Sequence, residues 1–93
     1  MDEPVEVPIG PELDLHSFAP ADIRSVVVEY LAEAAARGLS EVRLVHRRGR
    51  GVQRGVVQAT LDRHPLVTEF WDDPSSHLGA TIARLAAGRQ GHS

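Results

Sequence analysis

The sequence predicts an α/β two-layer sandwich of order β-α-β-α-β-β, a four-stranded mixed sheet with two helices on one face. Three observations lead there. Short strand-like runs fall at residues 13–16, 42–46, 66–70 and 80–85, and two longer stretches of helical spacing separate the first three of them. Strand, helix and second strand together take up about 35 residues, the length of a right-handed crossover between parallel neighbours. Finally, 42% of the 93 residues are hydrophobic, spread through the chain. That fills one small core, and no run approaches the ~18 apolar residues of a membrane span.

Residues 1–11 read as an extended N-terminal arm. Val5, Val7 and Ile9 alternate as in a strand, but Pro4, Pro8 and Pro11 allow at most an edge strand. Met1 to Pro8 is acidic and proline-bearing rather than basic and then apolar, which argues against a signal peptide and for a cytoplasmic protein with no membrane partner. The domain proper spans 12–86. In Leu13-Asp14-Leu15-His16 the leucines point to one sheet face and the polar pair to the other. Pro20 suits a first helical position, Asp22 the positive end of the helix dipole, and Gly38 a C-terminal cap. Between them Ile23, Val26, Val27, Tyr30, Leu31 and Ala34 recur at helical spacing, which predicts a helix over 20–37.

Val42 to His46 is the second strand, and Arg47-Arg48-Gly49-Arg50-Gly51 a glycine-rich basic loop. A second helix follows over 52–64, with Val52, Val56, Val57, Thr60 and Leu61 inward and Pro65 as its stop. Gly55 inside that helix costs about 1 kcal/mol. Leu66 to Phe70 is the third strand, Trp71–Gly79 a loop and Ala80 to Leu85 the fourth strand, with a flexible tail over 87–93.

The chain has no cysteine, which excludes disulfides, thiolate zinc sites and a cysteine nucleophile. All ten basic residues are arginines. Arg43, Arg47, Arg48, Arg50, Arg54 and Arg63 share one stretch with a single acid, Asp62, for a local net of +5 on a protein whose formal net charge is −3. An arginine cluster on an acidic body is what a focused phosphate site looks like, though a solvated arginine face has the same composition.

Topology gathers the polar residues. The carboxyl ends of parallel strands lie on one sheet edge, where α/β folds place their ligands. Asp14 and His16 close the first strand and His46 the second. The loop after His46 opens a helix whose free N–H groups face the same edge. One carboxylate, two imidazoles, the loop arginines and a helix N-terminus are parts that phosphodiester cleavage uses: a base near neutral pH, an acid for the leaving oxygen and cations about the phosphorane. Each residue alone also has an ordinary structural explanation, as a turn-former, a hydrogen-bonder or a tight-turn glycine. His64 complements the end of its helix, His77 and His92 carry no role, and Phe70-Trp71 is read as packing rather than a base-stacking platform. No His-x3-His or carboxylate cluster suggests a metal site.

In order and spacing these residues resemble the Smr (small MutS-related) domain family in its short, stand-alone form. The opening Leu-Asp-Leu-His-Gly motif of that family is matched by Leu13-Asp14-Leu15-His16-Ser17, and its Ile-His-Gly-x-Gly motif by Val45-His46-Arg47-Arg48-Gly49-Arg50-Gly51. Its closing features resemble His64-Pro65, Val67-Thr68-Glu69-Phe70 and Gly79-Ala80-Thr81. The resemblance covers about residues 12–86. It implies a fold like the C-terminal domain of bacterial translation initiation factor three. It also implies a nucleic-acid endonuclease that nicks DNA or cuts RNA, linked to DNA repair or recombination or to quality control of RNA and ribosomes. By the same resemblance Asp14 and His16 are the catalytic pair, and His46, either their partner or a phosphate ligand, would grip the scissile phosphate together with its glycine loop. Arg47, Arg48, Gly49, Arg50, Gly51 and Arg54 would grip the phosphate. No cofactor is implied outright; Mg²⁺ is expected only where water attacks DNA.

Three departures motivate an alternative. Ser17 and Arg47 replace glycines of the motifs, and Ser75-Ser76 precede the last strand where only Gly79 remains. A Cβ at position 47 either strains the loop by roughly 1 kcal/mol or lends the phosphate a guanidinium. A module that binds structured nucleic acid or a nucleoprotein without cutting it is therefore the second expectation. A protein–protein adaptor recognising partners through the acidic arm, Asp2 to Glu12, is the third.

Overall fold

The computed structural model describes residues 10–16, 18–46, 52–76 and 79–86. The arm before Gly10, Ser17, the loop over 47–51, His77, Leu78 and the tail over 87–93 lie outside the described residues.

Strand β1 (Glu12–Asp14) leads through a 3-10 turn, Pro20–Asp22, into helix α1 (Ile23–Ala36). Then come β2 (Glu41–Val45), α2 (Val52–Arg63), β3 (Val67–Asp72) and β4 (Ala80–Leu85). The sheet order is β1-β2-β4-β3, with β1 parallel to β2 and the other two pairings antiparallel. This is the mixed sheet with crossover that the alternation and spacing predict. Both helices bury their stripes in one core with Leu15, Leu44, Ala83 and Leu85: Ile23, Val27, Tyr30, Leu31 and Ala34 from α1, Val57 and Leu61 from α2. Each large aliphatic side chain so buried contributes about 1.5–3 kcal/mol.

Gly38 ends α1 as expected. Its φ of +82° lets its N–H reach the Ala35 carbonyl at 3.0 Å and the Leu39 N–H reach that of Ala34 at 3.0 Å, a Schellman cap. The last two residues of the predicted arm lie along the domain. Gly10 offers its carbonyl to the Tyr30 hydroxyl at 2.5 Å, and Pro11 accepts the Arg43 N–H at 2.7 Å. Burial first, and then the Glu12 carboxylate, pushes the Tyr30 phenol up to about 12, so it remains a donor at any physiological pH.

One boundary differs in substance. β3 runs on through Trp71 and Asp72, which the sequence assigns to a loop. Trp71 pairs with Ile82 and Asp72 with Thr81. The Trp71 ring lies under the Arg84 guanidinium, 5.2 Å from its centroid. Asp72 is exposed there and meets Arg54 and Gln58 of α2. The sheet face away from the helices carries ion pairs beside Trp71 and Ile82: Arg84 with Glu69 at 2.7 Å and with Glu41 at 3.6 Å, and Arg43 with Asp73 at 3.3 Å.

Gly55 sits on the exposed side of α2, where an added Cβ meets nothing within 4 Å. Gly55→Ala should therefore raise unfolding free energy by about 0.5–1 kcal/mol in urea titration. A loss of stability would show that the helix needs the glycine.

Candidate active site

The register of the crossover builds the site. Leu13 and Leu15 turn into the core, and Leu15 is fully buried, its N–H bonded to the Val45 carbonyl at 2.9 Å. Asp14, opposite Val45, and His16 are thereby displayed on either side of an anchored residue. Asp14 Oδ1 accepts the His16 backbone N–H at 3.0 Å and lies 3.2 Å from His16 Nδ1. Both side chains are open to solvent, 41% and 57% exposed. One carboxylate oxygen thus holds both the backbone and the ring of the following histidine.

His46 follows β2 on the same edge, but its ring takes the other direction. It is 4% exposed, and Nε2 lies 2.9 Å from Thr81 Oγ1. Its backbone N–H bonds the carbonyl of Gly79 at 3.1 Å. Gly79 adopts φ +93°, a left-handed conformation costly for any residue with a Cβ, so the one glycine retained before the last strand is the one the backbone requires.

Behind His46 runs a polar row. Thr81, fully buried on β4, also meets Gln58 Nε2 at 3.0 Å, and the same amide nitrogen donates to Asp72 Oδ1 at 2.9 Å. Arg54, one turn earlier on α2, grips Asp72 with two prongs, Nε to Oδ1 at 3.0 Å and Nη2 to Oδ2 at 2.6 Å. The Arg54 hydrogen bonds above all hold the Asp72 carboxyl below its ordinary value against the opposing effect of burial, and the Gln58 bond and the nearby Arg54 and His46 charges act in the same lowering direction.

Asp14, His16 and His46 therefore share the carboxyl edge, the dyad exposed and the second imidazole buried. Arg54 is engaged by Asp72, while Arg47, Arg48, Gly49, Arg50 and Gly51 lie outside the described residues. Sequence reasoning misses Thr81, Gln58 and Asp72. The available signals were Thr81 at an inward position of its strand, in phase with Ala83 and Leu85, and Gln58 four residues after Arg54. His64 acts locally, its Nδ1 accepting the Leu66 N–H at 3.1 Å. Asp73 accepts the backbone N–H and hydroxyl of Ser75 at 2.9 and 2.8 Å in the turn after β3. Among the described residues, no group of three or more His, Asp or Glu side chains could hold a metal ion, and no helix is long and apolar enough to cross a membrane.

Comparison with known proteins gives a consistent result. The family model for the Smr domain matches residues 13–86. The endonuclease MutS2 of Pelotomaculum thermopropionicum is 35% identical over 80 residues, covering 84% of this chain and 10% of that protein. The endonuclease MutS2 of Thermus thermophilus is 35% identical over 75 residues, 81% of this chain and again 10% of the relative. The chain thus spans about a tenth of the length of these curated relatives. Among solved structures, the Smr domain of Thermus thermophilus MutS2 superposes with a TM-score of 0.75 at 35% identity, covering 82% of this chain and 98% of that one. YdaL, a stand-alone small MutS-related protein from Escherichia coli, shares the fold with a TM-score of 0.72 at 24% identity, over 81% of this chain and 63% of its own.

Proposed function

This chain belongs to the Smr domain family, and from that membership we propose that it cleaves phosphodiester bonds in nucleic acid with Asp14 and His16 as its acid–base pair. The observation that carries this reading is the dyad itself, a carboxylate 3.2 Å from an imidazole nitrogen on an exposed strand end. A carboxylate only accepts, so Asp14 selects the tautomer with the proton on His16 Nδ1 and the lone pair on Nε2. Nε2 then takes the proton of the attacking hydroxyl, and Asp14 stabilises the imidazolium that results.

With RNA the attacking group is the ribose 2′-OH. Its oxygen bonds to phosphorus as its proton passes to Nε2, and the 5′-oxygen leaves with a proton returned from the imidazolium or from water. The products are a 2′,3′-cyclic phosphate and a 5′-hydroxyl. DNA lacks that hydroxyl, and water attack more often recruits Mg²⁺. The described residues do not form a metal cluster, so no step is assigned to a metal. Arg47, Arg48 and Arg50, with the N-terminus of α2, would neutralise charge on the phosphorane. The substrate on this reading is a structured or ribosome-associated nucleic acid met in the cytoplasm.

Supercoiled plasmid and a structured RNA, each incubated with the protein in Mg²⁺ and in EDTA, test the proposal. RNA cleavage that persists in EDTA is expected, with a cyclic phosphate terminus. Absence of product from both substrates under both conditions would overturn it. That result, paired with salt-sensitive binding, would favour the non-cutting module, for which the departures at Ser17 and Arg47 speak.

A further inference from the structure

We infer that His46 is held as the neutral tautomer protonated on Nδ1 by a directed chain of hydrogen bonds from Asp72 through Gln58 and Thr81, which makes Thr81 and Gln58 positioning residues for His46. Only the use made of that tautomer rests on the phosphodiesterase reading above.

The direction follows from what each group can donate. Asp72, its charge met by Arg54, is an acceptor, so the side-chain amide of Gln58 must present its NH₂ end to it. That fixes the amide, and the same nitrogen's second hydrogen points at Thr81 Oγ1. A hydroxyl that accepts there has one hydrogen to give, and His46 Nε2 is the acceptor 2.9 Å away. Nε2 is therefore the nitrogen with the lone pair, and the ring proton resides on Nδ1.

The opposite arrangement, an imidazolium donating through Nε2, places two donors on one oxygen. The hydrogen of a fully buried hydroxyl would then have to find another acceptor, and a charge would sit on a ring 4% exposed. Asp72 favours that charge, but Arg54 already pairs with it through two hydrogen bonds.

The consequence is a division of labour between the two imidazoles of one sheet edge. His16, with Asp14 on Nδ1, offers a lone pair at Nε2 and can take a proton. His46 is pinned the other way, with its lone pair on Nε2 engaged by Thr81 and its proton on Nδ1. A ring so pinned does not serve as the base.

Long-range ¹H–¹⁵N correlation spectra of the ¹⁵N-labelled full chain at pH 7, assigned with His46→Gln, read the tautomer directly. The expected spectrum shows a protonated Nδ1 and an unprotonated Nε2 for His46. A proton on Nε2, or on both nitrogens, overturns the inference. Thr81→Val keeps the strand shape and removes the hydroxyl. It should move His46 toward the Nε2–H form and lower kcat/KM about tenfold, the worth of one charge-assisted hydrogen bond. An unchanged His46 spectrum in that variant overturns the positioning role. Should Thr81→Val fail to fold, Gln58→Leu on half-exposed α2 gives the same readout. The spectrum needs no substrate. An inert protein with His46 protonated on Nδ1 would therefore defeat the phosphodiesterase reading alone, and an active one protonated on Nε2 would defeat this inference alone.

Discussion

Replacing His16 with alanine lowers the cleavage rate by about 10²–10⁴-fold, the usual worth of a positioned acid–base group. The ring is 57% exposed and outside the core, so stability should stay within about 0.5 kcal/mol of the parent in urea titration. Asp14→Asn sharpens the point. The amide oxygen can still accept the His16 backbone N–H, so the turn persists. The same oxygen also faces Nδ1, so the tautomer persists as well, and what the amide removes is the negative charge that stabilises the imidazolium. A drop in rate comparable to that of His16→Ala is expected. A fully active Asp14→Asn protein would reduce the carboxylate to a turn-former.

Leu15→Ala should produce the largest structural effect. Leu15 is fully buried between the two dyad residues and packs in the core shared by both helices. Truncating such a leucine costs about 2–5 kcal/mol. A domain of this size has about 5–14 kcal/mol in all, so the variant loses a large fraction of its stability. Leu15→Met, which keeps the volume, should cost under about 1.5 kcal/mol. Equilibrium unfolding in urea decides, and a Leu15→Ala loss below about 1 kcal/mol would mean that the dyad is not anchored through the core. The folded fraction of that variant should also cut poorly, because Asp14 and His16 take their spacing from the residue between them.

The same residue illustrates what could be read without coordinates. The alternation in Leu13-Asp14-Leu15-His16 and the stripe from Ile23 to Ala34 are local periodicities, and local periodicity is what a sequence displays. Gly38 was equally legible, because its cap depends on backbone conformation alone. Asp72 was not. An exposed carboxylate at the end of a strand shows no role until Arg54 and Gln58 of another element are seen to meet it. His46 was placed on the correct edge by topology, yet its ring partner is Thr81, distant in sequence and brought near by the β2–β4 pairing. Pairing across elements is a tertiary fact, and the polar row behind His46 consists of nothing else.

The central claim, that Asp14 and His16 together perform proton transfer at a scissile phosphate, has one direct test. Cleavage of a structured RNA and of supercoiled plasmid is measured for the parent and for an Asp14→Ala/His16→Ala double variant, after circular dichroism has shown both folded and a binding assay has shown both retaining the nucleic acid. The account predicts product from the parent and none above background from the double variant. Undiminished cutting by a folded double variant would contradict it.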